Sequence, residues 1–311
     1  IHGGSMLQPW IFNLLPDKSS TMNISIVANP EKYEIKKPLI DLLAWTEKNE
    51  VSVYCNHTLS NMVTPNDYQY LNVTKTEQES LVQGDITVAL GGDGTMLFAA
   101  RSLKNIQKPI LGINYGRLGF MANTQHENLC RAMDNLKAGN YKIDKRYMLE
   151  ARTEDGRTYH ALNEFLFSKK DSASMIIVEA AFDGYLINKY WADGLIVASP
   201  TGSTAYNLSA FGPIVMPKAD VLVLTPINPH TLTTRPMILP SDKPLKITVS
   251  EQRSEVLFSY DGKLLNIKSY PFSVYIKRSN FTTNLIELPG HNYFETLRSK
   301  LMWGKDYREQ V

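Results

Sequence analysis

Apolar residues in the first half of the chain follow two spacings that alternate along the sequence. Short apolar, β-branched runs predict buried strands at residues 23–28, 51–54, 86–90 and 109–113. Between these runs, apolar residues such as Ile35, Leu39 and Leu42 recur every three or four positions, which predicts helices. Strands that alternate with helices favour a parallel sheet with its ligand site at the carboxyl ends of the strands. The first half therefore predicts an α/β domain with a Rossmann-like parallel sheet.

The pattern changes beyond Gly139, where short alternating runs predict strands instead of helices. Asp155-Gly156 and Asp183-Gly184 are typical of hairpin turns between such strands. A single helix is predicted near residues 204–209, and a terminal helix near residues 294–301. We therefore expect a β-rich, sandwich-like C-terminal domain, and an α+β protein overall.

The length of 311 residues favours two domains over one core. We expect residues 22–123 and 281–311 to form the α/β domain, with the C-terminal segment returning to it. Residues 124–280 are expected to form the β-rich domain, and residues 1–21 to be a tag or a disordered extension. The polar stretch at residues 58–83 allows no clear assignment.

Charge and composition narrow the possible partners and the compartment. A formal net charge of +2 predicts neither a nucleic-acid partner nor a membrane-surface partner. The two cysteines stand far apart without a metal-ligand spacing, which favours a reducing, cytoplasmic compartment and argues against a zinc site or a disulfide scaffold. No apolar run approaches the ~18 residues of a membrane span.

The most informative stretch is the glycine-rich turn at residues 91–95. The apolar run at residues 86–90 stops at two glycines, and helical spacing resumes at Met96. Glycines allow close approach of the backbone to a ligand, and N–H groups at a helix start attract phosphate. Asp93 adds a negative charge at this turn, so we expect it to hold a metal ion or to accept a proton.

Further polar loops occur in the second half of the chain. Asp193-Gly194 precedes a predicted strand, and residues 199–206 follow it with hydroxyls and glycine next to a helix start. Asn163-Glu164 and Asp261-Gly262 are further candidates. The sequence contains no GxGxxG, Walker A or protein-kinase motif.

Taken in order and spacing, these motifs resemble those of the NAD kinase family within the GGDGT kinase superfamily. The resemblance is carried by residues 91–95, 163–164, 193–194, 200–206 and 224–230, and it extends from about Met22 to the C-terminus. The glycine turn alone also resembles lipid kinases and phosphofructokinases. The TGSTAY run at residues 201–206 separates NAD kinases from those relatives. Phe211 and Asn228 depart from the usual family pattern.

The resemblance implies transfer of the terminal phosphoryl group of ATP, or of polyphosphate in some members, to the 2′-hydroxyl of the adenosine ribose of NAD, giving NADP. It also implies Mg²⁺ or another divalent cation, and a homodimer or homotetramer. Asp93 would be the catalytic base or orienting group. The implied binding residues are Gly92, Gly94 and Thr95 for phosphate, Phe120 near adenine, Asn163 and Glu164 for ribose, Asp193 near nicotinamide, Thr204, Ala205, Tyr206 and Ser209 for bases and sugars, and Asp261 from the second domain.

Two alternatives stay open at this point. A lipid or sphingoid kinase could carry the same glycine turn, and a catalytically silent sensor of NAD or NADP could keep the pocket without the reaction. Considered singly, Tyr206 and Phe120 are better explained by packing than by stacking on a base. The sequence also leaves open the choice between ATP and polyphosphate, the acceptance of NADH, feedback regulation and oligomer size.

Overall fold

The computed structural model describes residues 22–116, 118–170, 174–250, 255–265 and 270–304. The expected tag or extension at residues 1–21 lies outside the described residues, as does the end of the C-terminal segment at residues 305–311. No helix in the described part of the chain is long and apolar enough to cross a membrane.

The described residues contain seven α-helices, four three-residue 3-10 helices and eighteen strands. The helices are α1 (Lys36–Asn49), α2 (His57–Ser60), α3 (Glu77–Gln83), α4 (Asp93–Leu103), α5 (Leu129–Lys137), α6 (Tyr206–Ser209) and α7 (Tyr293–Leu301). The strands are β1 (Ile24–Ala28), β2 (Val53–Asn56), β3 (Leu71–Thr74), β4 (Ile86–Leu90), β5 (Pro109–Asn114), β6 (Thr124–Gln125), β7 (Lys142–Thr153), β8 (Thr158–Ala161), β9 (Glu164–Lys169), β10 (Ile176–Phe182), β11 (Tyr185–Ala192), β12 (Gly194–Ala198), β13 (Val221–Ile227), β14 (Met237–Pro240), β15 (Leu245–Val249), β16 (Val256–Tyr260), β17 (Lys263–Leu265) and β18 (Phe272–Glu287).

The first-half strands form the expected parallel sheet, in the order β5-β4-β1-β2-β3. Strand β4 is buried along its whole length at the sheet's centre, which explains its continuous apolar run. Helix α1 packs Leu39, Leu42 and Leu43 onto this sheet. The site predicted at the carboxyl end of β4 therefore lies at the middle of the sheet edge.

The unassigned polar stretch folds into two short helices and an edge strand. The Asn56 side chain accepts the N–H of Leu59 at the start of α2. Thr76 and Glu79 form a capping box at the start of α3. Strand β3 is mostly exposed at the sheet edge, so its sequence carries little of the apolar alternation that identifies a strand.

The β-rich half forms the expected two-layer packing. One layer is a separate antiparallel sheet in the order β14-β13-β12-β9-β16-β17. The other consists of β7, β8, β10, β11, β15 and β18, which continue the first-half sheet into one twelve-stranded sheet. Phe165, Phe167 and Phe258 are fully buried between the layers, and the rings of Phe167 and Phe258 stack with centroids 4.7 Å apart. The turns at Asp155 and Asp183 join antiparallel neighbours, as predicted.

Strand β18 connects the two halves. Its first residues pair with β15, and Asn284 and Leu285 pair in parallel with β5. The pairing with β7 shifts register between Arg278 and Thr282. The expected boundary between residues 280 and 281 falls within this irregularity, so the chain crosses from one half to the other without leaving the extended conformation.

Candidate active site

The carboxylate of Asp93 is held by three consecutive backbone N–H groups. Asp93 is the first residue of α4, directly after the glycines that end β4. Its Oδ2 accepts the N–H of Phe120 at 2.9 Å, and its Oδ1 accepts those of Met121 and Ala122 at 3.0 and 3.1 Å. We call this arrangement the Asp93 clamp. It fixes the carboxylate at the carboxyl end of the parallel sheet.

Two glycines allow close packing at this turn, and one of them makes the Asp93 clamp sterically possible. A Cβ atom at Gly119 would lie 1.9 Å from Oδ1 of Asp93, so a side chain there would displace the carboxylate. Gly91 has a φ of 153°, and a Cβ there would lie 2.1 Å from the Thr95 hydroxyl. A Cβ at Gly94, in contrast, would meet no atom within 4 Å. The backbone at Gly94 is therefore open to a ligand.

A cavity of about 510 Å³ lies beside the start of α4. Gly92, Gly94 and Thr95 line it on one side, and residues 28–30 after β1 and residues 56 and 58 after β2 line it on the other. Lys32, Glu77 and Phe98 complete the lining. The three glycine-turn residues predicted to face phosphate are thus brought together at one cavity, where helix-start N–H groups favour an anion.

A second carboxylate, Asp261, is held in the same way in the β-rich half. Its Oδ2 accepts the N–H of Leu162 at 2.8 Å, and its Oδ1 accepts those of Asn163 and Glu164 at 2.8 and 3.3 Å. We call this arrangement the Asp261 clamp. It orders the turn between β8 and β9 that carries Asn163 and Glu164.

Glu164 is buried at the start of β9, and its Oε2 has no hydrogen-bond partner among the described residues. Burial, followed by repulsion from Asp261, raises the pKa of Glu164 to about 8. The carboxyl group is therefore largely protonated at neutral pH and can donate a hydrogen bond as well as accept one. A buried polar atom without a partner is costly and calls for an explanation. A substrate hydroxyl is one suitable partner.

The loop at residues 199–206 packs directly on the Asn163-Glu164 turn. The backbone N–H of Ser199 donates to the carbonyl oxygen of Asn163 at 2.8 Å, and its hydroxyl donates to that of Leu162 at 2.5 Å. A Cβ at Gly202 would lie 2.2 Å from the Asn163 carbonyl oxygen, so only glycine allows this approach. The predicted Asn163, Glu164 and Asp261 cluster therefore includes this loop.

The other loop residues lie on the turns that follow. The predicted helix forms as a 3-10 turn at Gly202–Thr204 and then α6, which contains Tyr206 and Ser209. Thr204 and Ala205 are partly buried, whereas Tyr206 and Ser209 are exposed. The structure thus presents an aromatic ring and a hydroxyl to solvent on α6.

Asp193 lies apart from this cluster. It precedes β12, whose other end, Ala198, pairs with Glu164 on the antiparallel strand β9. Five residues of β9 separate Glu164 from Lys169, which corresponds to about 16 Å of strand. The Asp193 carboxylate contacts Lys169 at 2.6 Å and accepts an N–H of Asn228 at 3.1 Å. The bond to Lys169 lowers the pKa of Asp193.

Arg101 connects the two halves of the candidate site, a role that sequence reasoning missed. One of its guanidinium N–H groups donates to the backbone carbonyl oxygen of Asp261 at 3.4 Å. Arg101 lies on α4, the helix that begins at Asp93. The two clamps are therefore connected through one helix. A single arginine in a helical pattern gives no sequence signal for such a contact.

Asn207 is a second residue that the motif reading passed over. It is fully buried, and its amide donates to the carbonyl oxygens of Ser203 and Pro213 at 3.1 Å. Its Oδ1 accepts the hydroxyl of Thr225 at 2.6 Å. Asn207 therefore anchors α6 to β13, inside the motif but directed away from a ligand.

The described residues fit a divalent cation only if the substrate contributes ligands. Within the described ranges, no three His, Cys, Asp or Glu side chains are arranged to hold a metal ion. Mg²⁺ is commonly held by one or two carboxylates together with substrate phosphates. Asp93 stands between Gly92 and Gly94, which line the cavity, and its clamp occupies three of about four lone-pair sites. This donor set suits an ion that arrives with a nucleotide.

Comparisons with known proteins concern the family of the whole chain. The family model for the ATP-NAD kinase N-terminal domain matches residues 24–141, and that for the ATP-NAD kinase C-terminal domain matches residues 162–288. An NAD kinase from Cytophaga hutchinsonii is 38% identical over 279 residues, which cover 89% of this chain and 92% of the relative. An NAD kinase from Flavobacterium psychrophilum is 38% identical over 277 residues, or 86% of this chain and 93% of the relative.

Two solved structures share the fold. Yeast NADH kinase complexed with NADH superimposes with a TM-score of 0.85 at 24% identity, covering 94% of this chain and 90% of the yeast chain. An NAD kinase from Archaeoglobus fulgidus in complex with ATP superimposes with a TM-score of 0.71 at 23% identity, covering 90% of this chain and 99% of the archaeal one. These likenesses extend over both halves of the molecule.

Proposed function

Because this chain belongs to the NAD kinase family, we propose that Asp93 is its catalytic base and that the two clamps assemble its active site. The reaction is that of an NAD kinase: the terminal phosphoryl group of ATP passes to NAD and gives NADP. The family reaction makes the 2′-hydroxyl of the adenosine ribose the acceptor. The remaining assignments concern which residues perform each step.

The Asp93 clamp suits a base at that hydroxyl. Oδ1 accepts two N–H groups and Oδ2 only one, so the remaining acceptor capacity lies on Oδ2. We assign Oδ2 as the atom that takes the hydroxyl proton as the ribose oxygen bonds to the terminal phosphorus. The bond from that phosphorus to the bridging oxygen breaks, and ADP leaves. General-base assistance of this kind contributes ~10²–10⁴-fold.

The phosphates of ATP would lie at Gly92, Gly94 and Thr95, where the cavity and the open backbone meet. Mg²⁺ would be held chiefly by these phosphates, because the remaining acceptor site of Asp93 is assigned to the hydroxyl proton, and when bound it would neutralise charge on the transferred group. The chain carries no Walker A lysine, so backbone N–H groups of α4 do the positioning.

The acceptor would be held by the second cluster. The unpartnered Oε2 of buried Glu164 suits a ribose hydroxyl, and Asn163 lies beside it on the same turn. The side chain of Asp261 is used by its clamp, so we assign it a positioning role through Asn163 and Glu164. Phe120, Thr204, Ala205, Tyr206 and Ser209 would contact bases and sugars, and Asp193 the nicotinamide side.

Exposed apolar side chains support an oligomer, which we propose to be a homodimer or homotetramer. In the β-rich half, Leu186, Trp191 and Leu232 are exposed by 64%, 53% and 88%. Single exposed apolar residues are ordinary, but several large ones on one half of a molecule favour association. Light scattering during size-exclusion chromatography tests this proposal. We also propose a cytoplasmic location, in keeping with the cysteine usage.

The observation that carries the mechanism is the Asp93 clamp beside an open glycine backbone and a cavity. The test is incubation of the purified chain with NAD, ATP and Mg²⁺, with phosphorus NMR to locate the new phosphate. We expect NADP phosphorylated at the 2′ position. NADP binding by calorimetry without NADP formation would support the silent sensor, and phosphorylation of a sphingoid base would support the lipid-kinase alternative.

A further inference from the structure

The phosphate-facing cavity extends well beyond the glycine turn. Its volume of about 510 Å³ is more than a phosphate group at Gly94 and Thr95 requires. Away from those residues, Phe98 and Glu77 line it together with Lys32 and residues 28–30, 56 and 58. Neither residue belongs to the motifs on which the proposed function depends, so this end of the cavity has no role assigned to it.

The spacing along α4 sets the order of groups within the cavity. Thr95, Phe98 and Ser102 stand at positions i, i+3 and i+7, and so share one face of the helix. Ser102 lies close enough to Glu77 to lower the pKa of its carboxyl group, although burial, the larger effect, raises it. Ser102 is nine residues from Asp93, which is about 13 Å at the rise of an α-helix. A phosphate bound at the helix start would not reach Glu77, but the nucleoside end of a longer ligand would.

Phe98 offers a surface for a base. Its side chain is 42% exposed although it lies in the middle of a helix whose neighbours Ala99 and Ala100 are buried. Stacking of a base on an aromatic ring contributes ~1–3 kcal/mol. An exposed aromatic residue is by itself unremarkable. Phe98 is informative because it lies between the phosphate-facing turn and the polar group of Glu77.

Glu77 supplies that polar group. Burial raises the pKa of Glu77 to about 7, so near neutral pH its carboxyl group can both donate and accept hydrogen bonds. Among the described residues, no salt bridge neutralises it. A donor next to an acceptor matches the edge of a purine base. In its ionised form the same group repels a chain of phosphates.

We propose that Phe98 and Glu77 form the nucleoside end of the phosphoryl-donor site. The base stacks on the Phe98 ring and directs its hydrogen-bonding edge to Glu77, so that the chain selects a nucleoside triphosphate over inorganic polyphosphate. This inference rests on the proposed function, in which the donor phosphates lie at Gly94 and Thr95.

Calorimetry separates the two ends of the site without turnover. The probes are a non-hydrolysable ATP analogue and inorganic tripolyphosphate, each with Mg²⁺, and the variants are Phe98→Ala, Glu77→Ala and Glu77→Gln. We expect Phe98→Ala to bind the ATP analogue roughly tenfold more weakly, at the lower end of the stacking range, and Glu77→Ala to lose a factor of roughly ten with its hydrogen bond to the base. Binding of tripolyphosphate should be unchanged in Phe98→Ala and unchanged or tighter in Glu77→Ala. Glu77→Gln keeps a donor and an acceptor and should stay within about threefold of wild type.

Gln78→Ala is the matched control, because Gln78 is exposed on α3 beside Glu77 and does not line the cavity. It should bind both probes as wild type does. Wild-type affinity for the ATP analogue in both alanine variants would overturn the proposal, as would equal affinity of the wild-type chain for both probes. Formation of NADP from ATP by wild type is measured separately. If wild type forms no NADP, the proposed function is refuted. If both alanine variants bind the ATP analogue as wild type does, only this inference is refuted.

Discussion

Substitution of Gly119 by alanine tests whether the Asp93 clamp matters for catalysis. The added Cβ would lie 1.9 Å from Oδ1 and 2.6 Å from Cγ of Asp93, so the carboxylate must move by more than 1 Å to restore ordinary contact. Misplacement of a reacting group by about 1 Å costs roughly 10²-fold in rate. We therefore expect kcat to fall about 100-fold.

The same substitution should also lower the free energy of unfolding. Three N–H groups would lose their usual geometry to a charged acceptor, and each such bond contributes about 1.5–3 kcal/mol. Asp93 is only partly buried and can turn toward water, so we expect a loss equivalent to about one bond. Gly116→Ala is the matched control from the same loop, because its Cβ would lie 3.7 Å from the nearest atom, Oδ1 of Asn114.

The assay couples NADP formation to an NADP-specific dehydrogenase, and urea unfolding gives the stability. We expect Gly116→Ala to match wild type in both measurements. A kcat for Gly119→Ala within threefold of that control would refute the reasoning, because the carboxylate would then tolerate displacement.

Three further predictions concern other parts of the structure. Burial raises the folded pKa of Glu164 to about 8 from its ordinary value of 4.5, so the stability this group contributes is present below pH 4.5 and is lost as pH rises through 8. Between pH 5 and 8, the free energy of unfolding of wild type, measured with urea, should fall by about 1–3 kcal/mol relative to that of Glu164→Gln. Parallel dependence of the two unfolding free energies on pH would contradict this assignment. Asp261→Ala leaves three N–H groups of the acceptor turn without their acceptor. We expect KM for NAD to rise about tenfold, which corresponds to the loss of roughly one charged hydrogen bond. Asp155→Ala, at an exposed turn, is the control and should leave KM unchanged in the same kinetics. Phe211 has a φ of 62°, which favours glycine, and its side chain is 91% exposed. Phe211→Gly should therefore keep wild-type kinetics and gain up to about 1 kcal/mol in free energy of unfolding, measured by thermal unfolding. A destabilised variant would show that the ring has a partner.

The spacing of apolar residues was sufficient to predict the parallel sheet. Its inner strands are buried on both faces and so give continuous apolar runs, whereas its helices are buried on one face and so repeat apolar residues every three or four positions. The buried run of β4 and the apolar face of α1 are examples. The segment from α2 to α3 could not be assigned, since its edge strand is exposed and its helices are short. Local pattern also gives no sign that β18 continues one sheet through both halves, because pairing partners distant in sequence set that path.

The candidate site residues could be named from motifs, but their roles could not. Asp93 and Asp261 look alike in sequence as aspartates before glycine, and both prove to be clamped by three N–H groups. Only the structure reveals that the Asp261 carboxylate binds the backbone of residues 162–164 and that Arg101 connects Asp261 to α4. Both facts depend on contacts between segments more than 90 residues apart.

The most direct test of the account is the comparison of turnover and NAD binding in Asp93→Asn. Asparagine has nearly the same shape as aspartate but is a far poorer proton acceptor. The proposed mechanism predicts that kcat falls by ~10²–10⁴-fold, while the Kd for NAD, measured by calorimetry, stays close to that of wild type. Near-normal turnover in this variant would contradict the assignment of Asp93 as the base.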